Sequence, residues 1–188
     1  MELSTSTPVT QLPTRWTIDP GHTTVGFGVR HMMITTVRGE LSLTEGQLEY
    51  DPRRPESAKV TASVDVASID TREPKRDAHL RSADFFDADT YPQITFVSRR
   101  VVARGSGRFA LEGDLTIRGV TRPVTFDVED VSAPQVDPWG NQRIGASAKA
   151  RIRRSEFGMT WNATLEAGGL LVSDDVTIHV DVSLVAKS

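Results

Sequence analysis

The sequence predicts an all-β fold: an eight-stranded antiparallel up-and-down β-barrel with one short helix inserted near residues 72–83. Three observations predict it. Apolar residues recur with period two through most of the chain, the pattern of strands that bury one face. The links between these runs are mostly short, so neighbours in sequence pair in space. Closing such a sheet on itself leaves no unpaired edge.

Each element has its own justification. Arg15 to Val29 reads as one bent strand, with Thr23, Val25, Phe27 and Val29 on one face. Thr36 to Tyr50 turns Val37, Gly39, Leu41 and Leu43 inward, then changes parity to Leu48 and Tyr50 around Glu45-Gly46. A bulge accounts for that change. Val60, Ala62, Val64 and Val66 alternate with Thr61, Ser63 and Asp65 in the third strand. From Arg72 to Ala83 charges and good helix formers replace alternation, and Asp70-Thr71 supplies N-cap chemistry. The fourth strand starts at Ile94, Phe96 and Ser98 and runs to about Ala103. Arg104-Gly-Ser-Gly107 then turns the chain into Phe109, Leu111, Gly113, Leu115 and Ile117. Pro123 opens the sixth strand, in which Val124, Phe126 and Val128 alternate with polar residues. Ile144, Ala146, Ala148, Ala150 and Ile152 form the inner face of the seventh, and Val176, Ile178, Val180, Val182 and Leu184 that of the eighth. Gly140-Asn141 and Gly168-Gly169 mark loops before these last two strands.

Composition narrows the function classes. A chain of 188 residues suits one domain, here residues 14–188, preceded by a Ser-, Thr- and Pro-rich stretch over 1–13 expected to be a disordered tail. A net charge of −3 gives no general attraction to nucleic acid. With no cysteine there is no disulfide framework, thiolate nucleophile or cysteine-ligated metal. The start has no secretory h-region and no segment is long and apolar enough to span a membrane, so the expected location is cytoplasmic.

An eight-stranded barrel is either filled by its own side chains or left with room for one small ligand. Three successive alanines, Ala146, Ala148 and Ala150, with Ala62 on another strand, favour space. The remaining inner candidates are apolar, so that space would be dry. A close-packed core satisfies the same periodicity, and both readings stay open on alternation alone.

Several blocks of the chain carry a family resemblance. They are Trp16-Thr-Ile-Asp-Pro-Gly-His22-Thr-Thr-Val-Gly-Phe27, Val29-Arg-His31-Met32 and Val37-Arg-Gly39. Further along come Ser68-Ile-Asp70-Thr71, Arg76-Asp77-Ala-His79-Leu80 through Asp84-Phe85-Phe86-Asp87, and Tyr91-Pro92-Gln-Ile94-Thr-Phe96. Gly113 to Thr121 and Ile152-Arg-Arg154-Ser-Glu-Phe157-Gly158 complete the set. In this order, from Trp16 to Val185, the chain resembles the YceI-like polyisoprenoid-binding family. The resemblance implies a lipocalin-like barrel whose pore holds an isoprenoid chain. Many members carry an export signal that is not seen here, and residues 159–174, a candidate lid, match the family least well.

Alternation and resemblance together give a lumen lined by Phe27, Val29, Val37, Phe96, Leu115, Ile117, Phe126, Ala146, Ala148 and Ile178. His31, Arg38, Arg76, His79, Arg154 and Trp161 are the candidates for the mouth or for a head group. Arg38, Arg76, Arg81 and Arg154 are singled out because guanidinium forks match phosphate oxygens. His22, His31 and His79 with Asp19, Asp70 and Asp77 have no compact metal-ligand spacing, so no metal is expected. Asp77 and His79 stand two apart on the helix and do not share a face, which argues against a catalytic set with Ser68. They are expected to tie the helix to the barrel rim.

The function expected is binding of a long-chain polyisoprenoid or related amphiphile, of the isoprenoid quinone or prenyl phosphate type, for carriage, storage or sequestration. No catalysis and no cofactor are expected, and no nucleic acid partner. Transient membrane contact and a homodimer are the remaining partner options. The alternatives are a small hydrolase or isomerase acting on an amphiphile in the same pocket, and a filled barrel serving as a stress-related interaction module.

Overall fold

A computed structural model describes residues 15–51, 53–166 and 168–187, so the expected tail over 1–13 lies outside the described residues. In chain order the elements are β1 (Arg15–Ile18), β2 (Thr24–His31), β3 (Thr35–Glu49), β4 (Lys59–Asp70), α1 (Pro74–Arg81), β5 (Gln93–Gly105) and β6 (Arg108–Ile117). They continue with β7 (Val120–Glu129), β8 (Gln135–Val136), β9 (Gln142–Arg153) and β10 (Val172–Ala186). The wall runs β10-β2-β3-β4-β5-β6-β7-β9 and closes through β9 on β10, an eight-stranded antiparallel barrel as the sequence predicts.

The bent first strand is β1 and β2 joined by a single helical turn at Pro20–His22. Asp19 fixes the bend by accepting from the Gly21 amide at 3.1 Å, and its other oxygen meets the His22 ring at 2.8 Å. β1 lies against both β10 and β3 and closes one end of the barrel. Its Ile18 side chain occupies the space where a Cβ on Gly46 would be, so only glycine fits at that point of β3. The bulge expected near Glu45-Gly46 is present, because the pairing of β3 with β4 slips between Leu43 and Glu45.

The hairpins follow their turn chemistry. Arg118 and Gly119 both have positive φ between β6 and β7, and Gly105, Ser106 and Gly107 do so between β5 and β6. The helix begins later than Asp70-Thr71 suggests, and its N-cap is Glu73, whose carboxylate accepts from the Lys75 and Arg76 amides. Pro74 explains the shift: its fixed φ and missing N–H suit the first helical position. Asp70 instead accepts from the Arg72 amide at 2.7 Å in the preceding turn.

Two packed clusters sit toward the two ends. One gathers Phe96, Leu115, Ile117, Phe126, Ala150, Ile152, Phe157 and Met159. Within it Phe96 and Phe126 meet edge to face at 5.2 Å. The other is built on Trp16, Ile144 and Leu184 beside β1.

Candidate functional site

The barrel encloses an apolar cavity of about 340 Å³ lined from all eight wall strands. That volume falls in the range of roughly 300–1,000 Å³ typical of small-ligand pockets. Inner residues such as Val25, Leu43, Phe109, Ala148, Ile178 and Val180 are only half-buried although they point into the barrel. A filled core would bury them fully, so the structure decides between the two readings that alternation leaves open.

The space exists because of the small residues on β9. Ala146 stands opposite Val182, Ala148 opposite Val180 and Ala150 opposite Ile178 in the register with β10. Lys149, Arg151 and Arg153 point outward and are exposed. On the far wall Ala62 is paired with Phe96.

Of the expected lumen residues, Phe27, Val29, Phe96, Leu115, Ile117, Phe126, Ala146, Ala148 and Ile178 line the cavity, and Val37 does not. Val37 has the inward parity of Gly39, Leu41 and Leu43, but it lies beyond Gly39. At Gly39 the Phe27 ring and the Thr71 methyl cover the inner face, so closely that a Cβ there would stand 2.6 Å from the ring. Alternation also does not indicate the two ends of the cavity. Leu80, Phe85, Phe86 and Met159 close one, and Tyr50, Pro55, Ala58 and Val131 border the other. These residues sit mainly on loops, where period two has no meaning.

The polar candidates are mostly committed to the protein itself. Arg154 is buried and its guanidinium donates to four backbone carbonyls, those of Met159, Trp161, Val172 and Ser173. Burial lowers its pKa from the ordinary value, opposed by the nearby Asp174 carboxylate. Arg76 donates to the hydroxyl and carbonyl of Thr71, and Arg81 to the carbonyls of Ala67 and Ile69. Arg38 is exposed on the outer face of β3, and His31 closes β2 opposite Thr35 and Val172.

His79 meets Asp84 at 2.7 Å and lies edge-on to Phe85 and Trp161, with ring centroids 5.0 and 4.7 Å away. Asp77 is buried and accepts from the amide and hydroxyl of Thr71 at 2.9 and 2.5 Å. Ser68 bonds to the Asp65 carbonyl and the Ser42 amide. The three residues therefore hold three separate sets of partners. Among the described residues no three His, Cys, Asp or Glu side chains converge as a metal site.

At the end closed by β1, Arg143 joins Asp19 to Asp137. Its guanidinium, followed by the His22 ring, holds the Asp19 carboxyl down at about 2, and the same guanidinium, followed by bonds from Asn141 and Trp139, lowers that of Asp137. This bridge ties the bend between β1 and β2 to the loop before β9, and alternation gives no hint of it.

No helix among the described residues is long and apolar enough to cross a membrane. A UPF0312 protein of Vibrio cholerae is 35% identical over 160 residues, covering 85% of this chain and 81% of its own length. The crystal structure of Burkholderia cenocepacia BcnA superimposes with a TM-score of 0.77 at 25% identity, covering 88% of this chain and 98% of that one. A polyisoprenoid-binding domain from Saccharophagus degradans, implicated in plant cell wall breakdown, gives a TM-score of 0.67 over 94% of this chain and 100% of its own. At 14% identity that likeness speaks for the fold alone. A sequence model of the YceI-like domain matches residues 16–184, and to the YceI-like family the chain therefore belongs.

Proposed function

We propose that the barrel binds a long-chain polyisoprenoid or a related amphiphile, of the isoprenoid quinone or prenyl phosphate type, with its hydrocarbon in the lumen. The role that suits such a site is carriage, storage or sequestration rather than catalysis. The observation that carries the reading is the cavity itself, whose exposed wall is entirely apolar. Such a wall offers a hydrocarbon about 0.8 kcal/mol for each methylene removed from water and offers a polar substrate nothing. A polyisoprenoid-binding domain shares this barrel architecture, though not its sequence. The hydrolase or isomerase alternative has no comparable support, since Ser68, Asp77 and His79 are engaged apart.

Mass spectrometry of the organic extract of purified protein tests the proposal. A prenyl lipid at a substantial fraction of the protein concentration is the expected result. An extract free of lipid, together with no binding of added prenyl alcohols, would refute it.

A further inference from the structure

One end of the barrel carries an apolar surface that nothing within the described chain covers. At the tip of the β2–β3 hairpin Met33 is 68% exposed, Ile34 70% and Met32 39%, and Leu170 on the loop before β10 is 56% exposed. The Met32 amide donates to the Leu171 carbonyl at 2.7 Å, which joins the two loops into one patch. The backbone at Met32 and Met33 is left-handed, with φ of 52° and 58°, where Asn or Gly is at ease and a large apolar side chain is not. Its backbone is held by hydrogen bonds, but the apolar side chains of the tip gain little from burial inside the protein.

Its surroundings narrow the partner. From Arg30 to Arg38 the hairpin carries two arginines and a histidine and no carboxylate. The Arg30 guanidinium lies against the tip itself, donating to the Met33 carbonyl at 2.6 Å. Of the other exposed apolar residues, Val97 stands alone on β5, and Val131, Val136 and Trp139 lie on a segment with Glu129, Asp130 and Asp137. The loop that carries Leu170 adds Glu166, while Asp174 and Asp175 beyond it are engaged by Ser155 and Arg151, so the basic charge at the patch is that of the hairpin. An apolar tip on such a hairpin matches an anionic bilayer, where apolar side chains enter the interface and arginines meet phosphates. The segment around Trp139, with Glu129, Asp130 and Asp137, does not.

The patch is also continuous with the cavity. His31 pairs with Val172, and Val29 and Val172 both line the lumen. Between Val172 and Val176 the pairing of β10 with β2 shifts register, as it also does in β3–β4 and β5–β6. Of these three seams the β10–β2 one ends at the patch, where Met32 bonds Leu171.

We infer that the β2–β3 hairpin and Leu170 dock this barrel on an anionic lipid bilayer, presenting the β2–β10 seam to the membrane as the route by which lipid enters or leaves. The docking stands on the patch; what is exchanged rests on the lumen reading proposed above.

Flotation with vesicles of phosphatidylglycerol mixed with phosphatidylcholine, against phosphatidylcholine alone, tests it. The variants are Met33→Asp/Ile34→Asp, Arg38→Gln, and Trp139→Ala as the control at the opposite end. The wild type should float with the anionic vesicles more than with the neutral ones. The double substitution should cut partitioning at least about tenfold, since it removes two apolar side chains from the interface. Arg38→Gln should weaken it about fivefold at low salt, the effect of one interfacial charge. Both variants should melt like the wild type, because the altered side chains are exposed.

The inference is overturned if the wild type floats with neither vesicle, if the double variant floats undiminished, or if Trp139→Ala is the change that abolishes flotation. A wild-type dimer that the double substitution converts to monomer, without flotation, would assign the patch to a second copy of the chain and overturn it equally. Lipid content of the same preparations reports on the lumen separately. Lipid retained in a double variant that no longer floats supports the docking assignment, whereas a lipid-free wild type that still floats refutes the lumen reading and leaves the docking in place.

Discussion

Replacing Ala148 by phenylalanine should block the lumen without breaking the barrel. Ala148 lies midway along β9, opposite Val180 on β10 and Val128 on β7, and all three border the cavity. Phenylalanine extends the side chain by about six carbons, and each ligand methylene it displaces forfeits about 0.8 kcal/mol, so the loss approaches about 5 kcal/mol. That corresponds to a Kd weaker by up to about 4,000-fold for a chain long enough to fill the wild-type lumen. Stability should change far less, by about 1–3 kcal/mol at most if the ring meets crowding, because the cavity has room for it. The assay is a titration of both proteins with prenyl alcohols of increasing length, with denaturant midpoints measured in parallel. Strands of about ten residues tilted by about 40° give a barrel roughly 25 Å tall, so wild-type affinity should climb with chain length and then level off. Affinity independent of length in the wild type would refute the reasoning. So would a folded Ala148→Phe protein that binds long chains within about threefold of the wild type, a difference well under 1 kcal/mol.

Two further perturbations probe the polar residues. Asp77→Asn should lower stability by about 1–3 kcal/mol, because a buried hydrogen-bonded carboxylate is lost, while lipid occupancy stays unchanged in the same extracts. His79→Asn should have a smaller effect, since the ring is partly exposed; a defined turnover reaction abolished by it in folded, lipid-loaded protein would establish catalysis. The Asp19–Arg143–Asp137 bridge predicts the response to acid. Because Arg143 depresses the folded-state pKa of Asp19 to about 2, its stabilisation is complete above the ordinary carboxylate pKa of about 4 and is lost as pH falls through about 2. Urea midpoints of the wild type should therefore fall over that window, whereas those of Arg143→Gln should start lower near neutrality and fall less steeply. Parallel curves for the two proteins would contradict the assignment.

Legibility from the sequence followed the physics of each element. β9 and β10 alternate without interruption, so their register and the small-residue wall could be read directly. The bulge in β3 was legible because leucines stand on both sides of it and reveal the change of parity. A second slip, between Ser98 and Arg100 in β5, was not, because the flanking residues are arginines and serine that show no preference for a face. It turns Val101 inward, where simple alternation from Ile94 does not place it. Val37 shows the converse: parity specifies a face, but not which residues on it border the lumen, since Val29, paired with Val37, does so and Val37 does not. The arginine candidates meet a related limit. Sequence reveals a guanidinium's capacity to bind phosphate but not whether loop carbonyls have already claimed it, as they have for Arg154.

The closure of β10 on both β2 and β9 has a bearing on biosynthesis. Ile178 is the partner of Phe27 on one side and Ala150 on the other, so the barrel's final strand must pair with one of its earliest. While Val172–Ala186 is still within the ribosome, the rest of the barrel can form only an open trough, with β2 and β9 presenting free edges and the future lumen facing water. Pairing across such a span is slow, and exposed edges with apolar faces are the surfaces on which nascent chains aggregate or recruit chaperones. The same strand that seals the lumen therefore sets the length of time for which the growing polypeptide must be protected.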